Sequence, residues 1–247
     1  MTITIIGDRV VGKEWFFERN DPEIMSPRYV DKKERAREIT QAALGVFSQK
    51  GYAGTSVDEI AAAAGIAKGT VYEYYPSKDQ LYIAALMVFV EEFENAMADR
   101  LASVDDPFLR LIEYISLSVD FASQENAAAV RTMFDILQQS AMENGVFFKR
   151  KYLVREMMSG YRSMLTDILL DGISKGVFQA HLARDAEKLA TNIVAFLDGA
   201  SLHSLITENY FNMPEQLIIW ARFLAGFLLV TPNEYDVDAL ITQAVGR

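Results

Sequence analysis

Apolar side chains recur every three or four residues along most of the chain, starting near residue 31. That spacing gathers them on one face of an α-helix and leaves polar residues on the other. In the first such stretch, at 31–50, Ile39, Ala43 and Phe47 share a face, and Gly51 is a candidate left-handed C-cap. Because no long alternating strand pattern follows, the sequence predicts an all-α protein.

Capping residues divide the rest of the chain into further helices. Ser77 and Gln80 have the spacing of a capping box, and Asp106 followed by Pro107 has the order of an N-cap and a first helical residue. Thr55 or Ser56 can cap the helix that ends at Gly65. The predicted helices lie at 31–50, 57–64, 67–74, 77–100, 107–122, 126–143, 147–175, 185–207 and 214–230.

Residues 1–30 do not share this pattern. Residues 7–13 read Gly-Asp-Arg-Val-Val-Gly-Lys, close to a phosphate-binding P-loop, but Glu14 stands where that loop needs a Ser or Thr hydroxyl for Mg²⁺. No βαβ series follows, which weighs against nucleotide binding. We interpret the segment as an N-terminal extension of unknown role, either an arm held to the body by aromatic residues or a basic arm that enters a DNA groove. The aromatic residues are Trp15, Phe16 and Phe17, and the basic ones are Arg9, Lys13, Arg19 and Arg28.

Two short predicted helices meet at a tight turn within residues 60–66. Gly65 tolerates the positive φ that such a turn requires, and Ala61 is small enough to let the helices cross closely. In the segment after the turn Val71 faces inward, whereas Lys68, Thr70, Tyr72 and Tyr74 face outward. A cation, hydroxyl groups and a helix N-terminus all bind the phosphates of a duplex, so the pattern predicts a helix-turn-helix that contacts DNA.

The residues of this region also resemble a known family. Between 47 and 81 the chain reads Phe-x-x-x-Gly, then Thr-Ser-Val-x-x-Ile-Ala, then Ala-Gly-Ile-Ala-Lys-Gly-Thr-Val-Tyr-x-Tyr-Tyr-Pro-Ser-Lys-Asp-x-Leu. This pattern is similar to the DNA-binding domain of the TetR family of transcriptional regulators. The resemblance implies a three-helix domain at 31–76 with 67–74 as the recognition helix. The DNA contacts that it implies are Thr55, Lys68, Gly69, Thr70, Tyr72, Tyr74 and Lys78.

Two positions depart from the family pattern, and two have another interpretation. Ala67 stands where the family often has Ser, which removes one hydroxyl that could bind a phosphate, and Tyr75 stands where Phe is common. Packing beneath the recognition helix is the alternative role for Tyr72 and Tyr74, since partly buried tyrosines keep a polar tip free.

The remainder resembles the family's second domain more weakly, at 172–178, 186–190 and 198–200. The resemblance implies nine or ten helices in all, with a larger ligand-binding and dimerisation domain at 77–247. Independently, the helix at 214–230 is apolar on more than one face and so must be buried on both sides. We predict a homodimer through helices 185–207 and 214–230, with its recognition helices about 34–36 Å apart on a near-palindromic operator.

The middle helices are rich in Met and aromatic residues. Such a set is more often core packing than a pocket, although flexible Met side chains also line adaptable cavities. By resemblance we expect a small, largely apolar effector between the helix after Ser77 and the helices at 107–175, and we expect its binding to release a repressor from DNA. The candidate effector-binding residues are Phe121, Met133, Phe134, Leu137, Met157, Met158, Tyr161, Leu165 and Phe196, with Tyr161, Asn192 and His203 as polar candidates.

Composition weighs against an enzyme. The chain has 247 residues, no Cys and two His, so it lacks a thiolate nucleophile, Cys-ligated zinc and any disulfide. Neither His follows a Glu by three residues, as a helical di-iron site requires. We therefore predict no catalysis, no metal and no cofactor. Because no secretory or membrane-spanning segment is evident, we expect a cytoplasmic protein.

The net charge of −10 argues at first against a nucleic-acid partner. The distribution of the charge changes that interpretation. The net charge is −2 in residues 1–27, +1 in residues 28–81 and −9 in residues 82–247. The negative charge thus lies mainly outside the predicted DNA-binding domain, whose face is only modestly basic. A helical scaffold that binds a protein partner stays the alternative, and salt-dependent binding to a duplex distinguishes the two.

Overall fold

The computed structural model describes residues 5–6, 9–10, 27–121, 127–207 and 210–245. Two short antiparallel strands, β1 (Ile5–Ile6) and β2 (Arg9–Val10), pair with Ile5 opposite Val10. Most of the P-loop-like segment and the aromatic residues at 15–17 lie outside the described residues, so the predictions for them stay predictions.

Eleven α-helices follow in the described residues, where nine or ten were predicted. They are α1 Pro27–Gly54, α2 Val57–Ala63, α3 Lys68–Tyr74, α4 Lys78–Leu101, α5 Pro107–Phe121, α6 Ala127–Ala141, α7 Lys151–Met157, α8 Ser159–Ser174, α9 Ala186–Thr207, α10 Met213–Leu228 and α11 Val237–Val245. Short 3₁₀ helices lie at Ala180–Asp185 and Pro232–Glu234. The all-α prediction is confirmed for this part of the chain.

The chain divides by its internal contacts into Met1–Glu38 and Ile39–Arg247. The helix-turn-helix and every later helix belong to the second unit. The domain boundaries predicted after residues 30 and 76 do not coincide with this division and stay predictions.

The residues predicted to form turns or to cap helices do so in the structure. Gly51 and Gly65 both have a positive φ, +67° and +66°, and Gly51 interrupts α1 three residues before its end. Ser56 is the N-cap of α2 and forms a capping box with Glu59. Ser77 accepts a hydrogen bond from the Gln80 N–H, and Asp106 accepts from the first turn of α5.

The single helix predicted at 147–175 is wrong. Residues 145–149 instead form turns that reverse the chain over the end of α6, with the Phe147 N–H donating to Gln139 O at 3.1 Å. Gly145 permits this because a Cβ there would lie 2.2 Å from Gln139 O. Beyond the turns, a bend at Met158 separates α7 from α8.

The last helix, α11, was not predicted. It buries Val237, Ile241 and Ala244, which are four and three residues apart, and Asp236 accepts a hydrogen bond from its first turn. A helix of nine residues is marginal by itself, and packing on α5 and α10 stabilises it.

The main core lies among α5, α8, α9, α10 and α11. Leu111, Leu165, Ala190, Leu217 and Leu228 are fully buried in it. Among the described residues, no helix combines the length and apolar composition that crossing a bilayer requires. Nor do three or more His, Cys, Asp or Glu side chains of these residues converge as metal ligands would.

Candidate DNA-binding site

The turn between α2 and α3 has the geometry of a helix-turn-helix. The Gly65 N–H donates to Ala62 O at 3.2 Å, and the Ile66 N–H donates to Ala61 O at 3.0 Å. Ala61 is 3% exposed and Val71 is 1% exposed, so the two helices are in close contact at these positions. The inward position predicted for Val71 and the positive φ predicted for Gly65 are confirmed.

The opposite side of α3 is open to solvent. Lys68, Gly69 and Tyr72 are exposed, and Thr70 and Tyr74 are half-buried. A Cβ added at Gly69 would meet no other atom of the protein within 4 Å. Five of the seven predicted contact residues therefore lie on α3, three of them exposed and two half-buried.

Lys68 forms an ion pair with Asp58, which lies on α2. Its Nζ is 2.7 Å from Asp58 Oδ2, and both side chains are exposed. The hydrogen bond to Asp58 raises the pKa of Lys68, so its cationic form is stabilised. An exposed pair of this kind is weak, and a phosphate can replace Asp58 at little cost.

Thr55 and Lys78, the other two predicted contacts, already have partners within the protein. Thr55 is 3% exposed and its hydroxyl donates to Gly51 O at 2.8 Å. Lys78 Nζ donates to Tyr52 O at 2.8 Å and to Thr55 O at 2.9 Å, and it lies 4.2 Å from the centre of the Tyr52 ring. The Lys78 side chain thus joins the start of α4 to the end of α1, and the contact of both residues with DNA stays a prediction.

The tyrosine that replaces the family's usual Phe has a structural partner. The Tyr75 hydroxyl and the Thr40 hydroxyl are 2.5 Å apart, which ties the end of α3 to α1. Burial raises the pKa of Tyr75, so this hydroxyl stays protonated and available as a donor.

Sequence reasoning missed a polar cluster behind the helix-turn-helix. Its members are Tyr52 on α1, Asp79 and Tyr82 on α4, and Asp135 on α6, and they interact through hydrogen bonds. Helical spacing identifies the buried side of α4, but Asp135 follows Tyr52 by 83 residues and nothing local links them. Only the tertiary fold brings these residues together.

The candidate effector residues do not form a single cluster. Leu165 belongs to the main core, and Tyr161 and Phe196 pack against that core. Met133, Phe134 and Leu137 lie on α6, where Leu137 is 54% exposed, and the Phe121 side chain lies outside the described residues. Met157 is buried and Met158 is half-buried at the junction of α7 and α8. The Phe196 ring is stacked on Trp220, with ring centres 4.0 Å apart.

Tyr161 on α8 forms hydrogen bonds with polar residues of α4 and α5. The Tyr161 hydroxyl is 2.6 Å from Ser118 Oγ, its N–H donates to Glu94 Oε1 at 3.1 Å, and its carbonyl accepts from the Tyr114 hydroxyl at 3.1 Å. Loss of hydration raises the pKa of Tyr161 to about 12 and that of Asp198 to about 6. The Asp198 carboxylate raises the Tyr161 pKa further through its charge.

The other two polar candidates are exposed. Asn192 and His203 both lie on α9, and the His203 ring stacks on Phe211 at 5.8 Å. Their assignment to an effector site therefore stays a prediction.

Large apolar side chains are exposed along α9 and α10. Ile206 is 62% exposed, Ile219 62%, Phe223 68% and Phe227 41%. Ile219, Phe223 and Phe227 are four residues apart and so share one face of α10, and exposed apolar surface of this kind is characteristic of protein interfaces. It lies on the two helices for which dimerisation was predicted.

Comparison with known proteins agrees with the motif. Residues 39–85 match the family model described as bacterial regulatory proteins, tetR family. The Fatty acid metabolism regulator protein of Bacillus subtilis is 29% identical over 149 residues, which cover 59% of this chain and 71% of that protein. The HTH-type transcriptional activator FasR of Mycolicibacterium smegmatis is 28% identical over 167 residues, covering 66% of this chain and 68% of that protein.

The fold agrees as well. A transcriptional regulator from Saccharomonospora viridis, solved in complex with choline, superposes with a TM-score of 0.67 at 18% identity, over 81% of this chain and 100% of that one. The helix-turn-helix geometry, the family match over residues 39–85 and the curated relatives agree, and together they identify in this chain a DNA-binding domain of the tetR family of bacterial regulatory proteins.

Proposed function

We propose that this protein is an effector-released repressor that binds a near-palindromic operator as a dimer. The observation that carries the proposal is the exposure of α3 beyond the turn, where Lys68, Gly69 and Tyr72 are exposed and Thr70 and Tyr74 are half-buried. The helix N-terminus adds a partial positive charge at Lys68. Most of these groups bind the DNA backbone and so position the protein, without specifying a base.

The role of Lys68 is tested with a duplex selected by the wild-type protein from a randomised pool. Lys68→Ala should weaken binding and reduce the slope of log K against log salt by about 1 for each phosphate that the complex no longer neutralises. Lys188→Ala is the matched control, since Lys188 is also exposed and paired with an Asp, at 2.9 Å, but lies on α9. The control should bind like wild type.

Two outcomes would contradict this part of the proposal. Equal salt slopes for wild type and Lys68→Ala would remove Lys68 from the interface. Failure of the wild-type protein to enrich any duplex would favour the alternative, a scaffold for a protein partner.

The dimer is proposed through α9 and α10. Four exposed apolar side chains, Ile206, Ile219, Phe223 and Phe227, lie on these helices, and a second copy would bury them. A two-fold dimer places two α3 helices about 34–36 Å apart, one helical turn of DNA, and accounts for a near-palindromic site.

The effector is proposed to be small and largely apolar. The support is the Met and aromatic content of α6 to α8, with Met133, Phe134, Met158 and Tyr161 only half-buried. The regulation of fatty acid metabolism named for one relative is compatible with an apolar effector, whereas the structure solved with choline contains a cation.

Operator affinity measured with long-chain acyl compounds and with choline tests both effector classes. Loss of operator binding with one class supports release by that effector. Tighter operator binding would identify a co-repressor instead, and no change with either class would contradict an apolar or choline-like effector.

A further inference from the structure

Tyr52 is bonded through its backbone and its side chain at the junction of three helices. Its N–H donates to Asp135 Oδ2 on α6 at 2.7 Å, and its carbonyl accepts from Lys78 Nζ on α4 at 2.8 Å. Its hydroxyl donates to Asp79, which is also on α4. Tyr52 follows Gly51 directly and precedes the N-cap of α2 by four residues, so these bonds fix where the helix-turn-helix begins.

Asp135 connects this junction to α6. The same carboxylate oxygen that accepts from Tyr52 also accepts from the Tyr82 hydroxyl at 2.7 Å. Tyr82 is 1% exposed, and its ring contacts those of Phe47 and Tyr52 at 4.8 and 5.0 Å between centres. One side chain of α6 thus holds both the end of α1 and the first turns of α4.

The position of Asp135 is restricted on its other side. Its Oδ1 would lie 3.3 Å from a Cβ at Gly51, so only glycine leaves ordinary room there. Gln139, one turn later on α6, donates to the same oxygen at 3.5 Å, while its own Oε1 accepts from the Val146 N–H at 3.2 Å. A shift of α6 therefore cannot preserve both Asp135 bonds unless α1 and α4 move with it.

A second link runs parallel to the first. Arg150, in the turn before α7, donates to Asp79 Oδ2 at 3.4 Å and to Val146 O at 3.0 Å. Asp79 in turn accepts from the Tyr52 hydroxyl. The bond between Arg150 and Asp79 is part-buried and longer than the 2.7 Å bonds that Asp135 accepts. We therefore assign Arg150 a supporting role beside Asp135.

We propose that Asp135 is the positioning residue through which α6 sets the DNA affinity of α2 and α3. It touches no DNA and acts through Tyr52 and Tyr82. The proposal rests on the proposed function, since it describes how the second domain would control the same DNA-binding helices.

The test is a double-mutant cycle with Asp135→Asn and Tyr82→Phe, using the duplex selected by wild type. Each single variant should weaken binding about tenfold, within the 5- to 150-fold range of measured site-to-site couplings. The loss in the double variant should be smaller than the sum of the two single losses, because both changes act on the bond between Tyr82 and Asp135. The salt slope should equal that of wild type, since every phosphate remains paired with the same cations.

If Asp135 only stabilised the fold, its substitution would change the melting temperature and not the duplex affinity of the folded protein. Asp171→Asn is the matched control, because Asp171 is a half-buried carboxylate on α8 that is paired with Arg110 on α5 and with Lys175 directly after α8. It should lower the melting temperature yet leave duplex affinity unchanged at temperatures where all variants are folded. Wild-type affinity in both Asp135→Asn and Tyr82→Phe, or additive losses in the double variant, would overturn the proposal.

Hydrogen exchange supplies a second measurement that does not depend on affinity. Binding of the duplex should slow amide exchange at 128–150 in wild type, and this slowing should disappear in Asp135→Asn. Unchanged slowing in Asp135→Asn would overturn the proposal while leaving DNA binding itself intact. If wild type selects no duplex at all, the proposed function fails and this inference fails with it.

Discussion

At the scale of single residues, the type of a side chain indicates what it can bind, whereas its contacts within the fold decide whether it is available to bind it. Lys68 and Lys78 have the same chemistry and both were expected to bind phosphate. Lys68 is exposed beside Asp58, while Lys78 donates to two carbonyl groups at the end of α1. Lys78 differs because the carbonyl groups of Tyr52 and Thr55 lie within reach of its ammonium group, and a sequence pattern does not reveal that proximity.

Asp198 gives a prediction for the pH dependence of stability. Although part of its side chain is accessible, surrounding protein reduces the hydration of the carboxylate and raises its pKa from 3.8 to about 6. Between these values the folded state binds more protons than the unfolded state, so this group makes stability fall as pH rises. Asp198→Asn should therefore raise the melting temperature at pH 7 and leave it nearly unchanged near pH 4.

Asp185 is the control for this measurement. Its pKa is lowered, first by the hydrogen bond from Lys188, so its ionised form stabilises the folded state above the usual pKa range. Asp185→Asn should lower the melting temperature slightly at pH 7. Thermal unfolding of both variants from pH 4 to 7.5 checks the signs, and a lower melting temperature for Asp198→Asn at pH 7 would contradict the first prediction.

At the scale of elements, helix boundaries followed from caps and turn residues wherever the signal is local. Ser56, Gly65, Ser77 and Asp106 were identified from sequence and act at helix ends or turns. The turn at 145–149 was missed because it depends on contact with the end of α6, to which Gly145 fits closely. An apolar run there is equally compatible with one long helix.

The two glycines around α3 should respond to alanine with opposite signs. Gly65 has φ +66°, where a Cβ is strained, so Gly65→Ala should cost roughly 1 kcal/mol of folding free energy. Gly69 lies within α3 in open space, so Gly69→Ala should stabilise the fold by roughly 0.5–1 kcal/mol. If the DNA backbone approaches α3 closely at this point, Gly69→Ala should nevertheless weaken duplex binding.

Denaturant unfolding and duplex affinity measured on the same samples separate these effects. Wild-type affinity in Gly69→Ala would remove Gly69 from the predicted DNA contacts. A stabilised Gly65→Ala would contradict the need for a positive φ in the turn.

At the scale of the whole molecule, the exposed apolar surface on α9 and α10 predicts self-association. Phe223→Glu places a charge at the centre of that surface and should shift the protein from dimer to monomer, because the carboxylate would be desolvated in the interface. Duplex affinity should fall in parallel, since one recognition helix no longer positions the other. Sedimentation measures the first effect and a binding titration the second.

Leu137→Glu is the control, because Leu137 is 54% exposed but lies on α6. It should remain dimeric. A dimeric Phe223→Glu would contradict the assignment of the interface to α9 and α10.

The sequence by itself determined the helical fold, the turn at Gly65 and the outward face of α3, because helical spacing, capping and backbone conformation are properties of neighbouring residues. It also identified the family of the DNA-binding domain at 39–85, through a contiguous motif. The tertiary structure alone decided that Lys78 is engaged by α1 and that Asp135 reaches Tyr52 and Tyr82. It also decided that the candidate effector residues divide among α6, the junction of α7 and α8, and the main core. These contacts join residues far apart in the chain, and their geometry depends on how the helices pack.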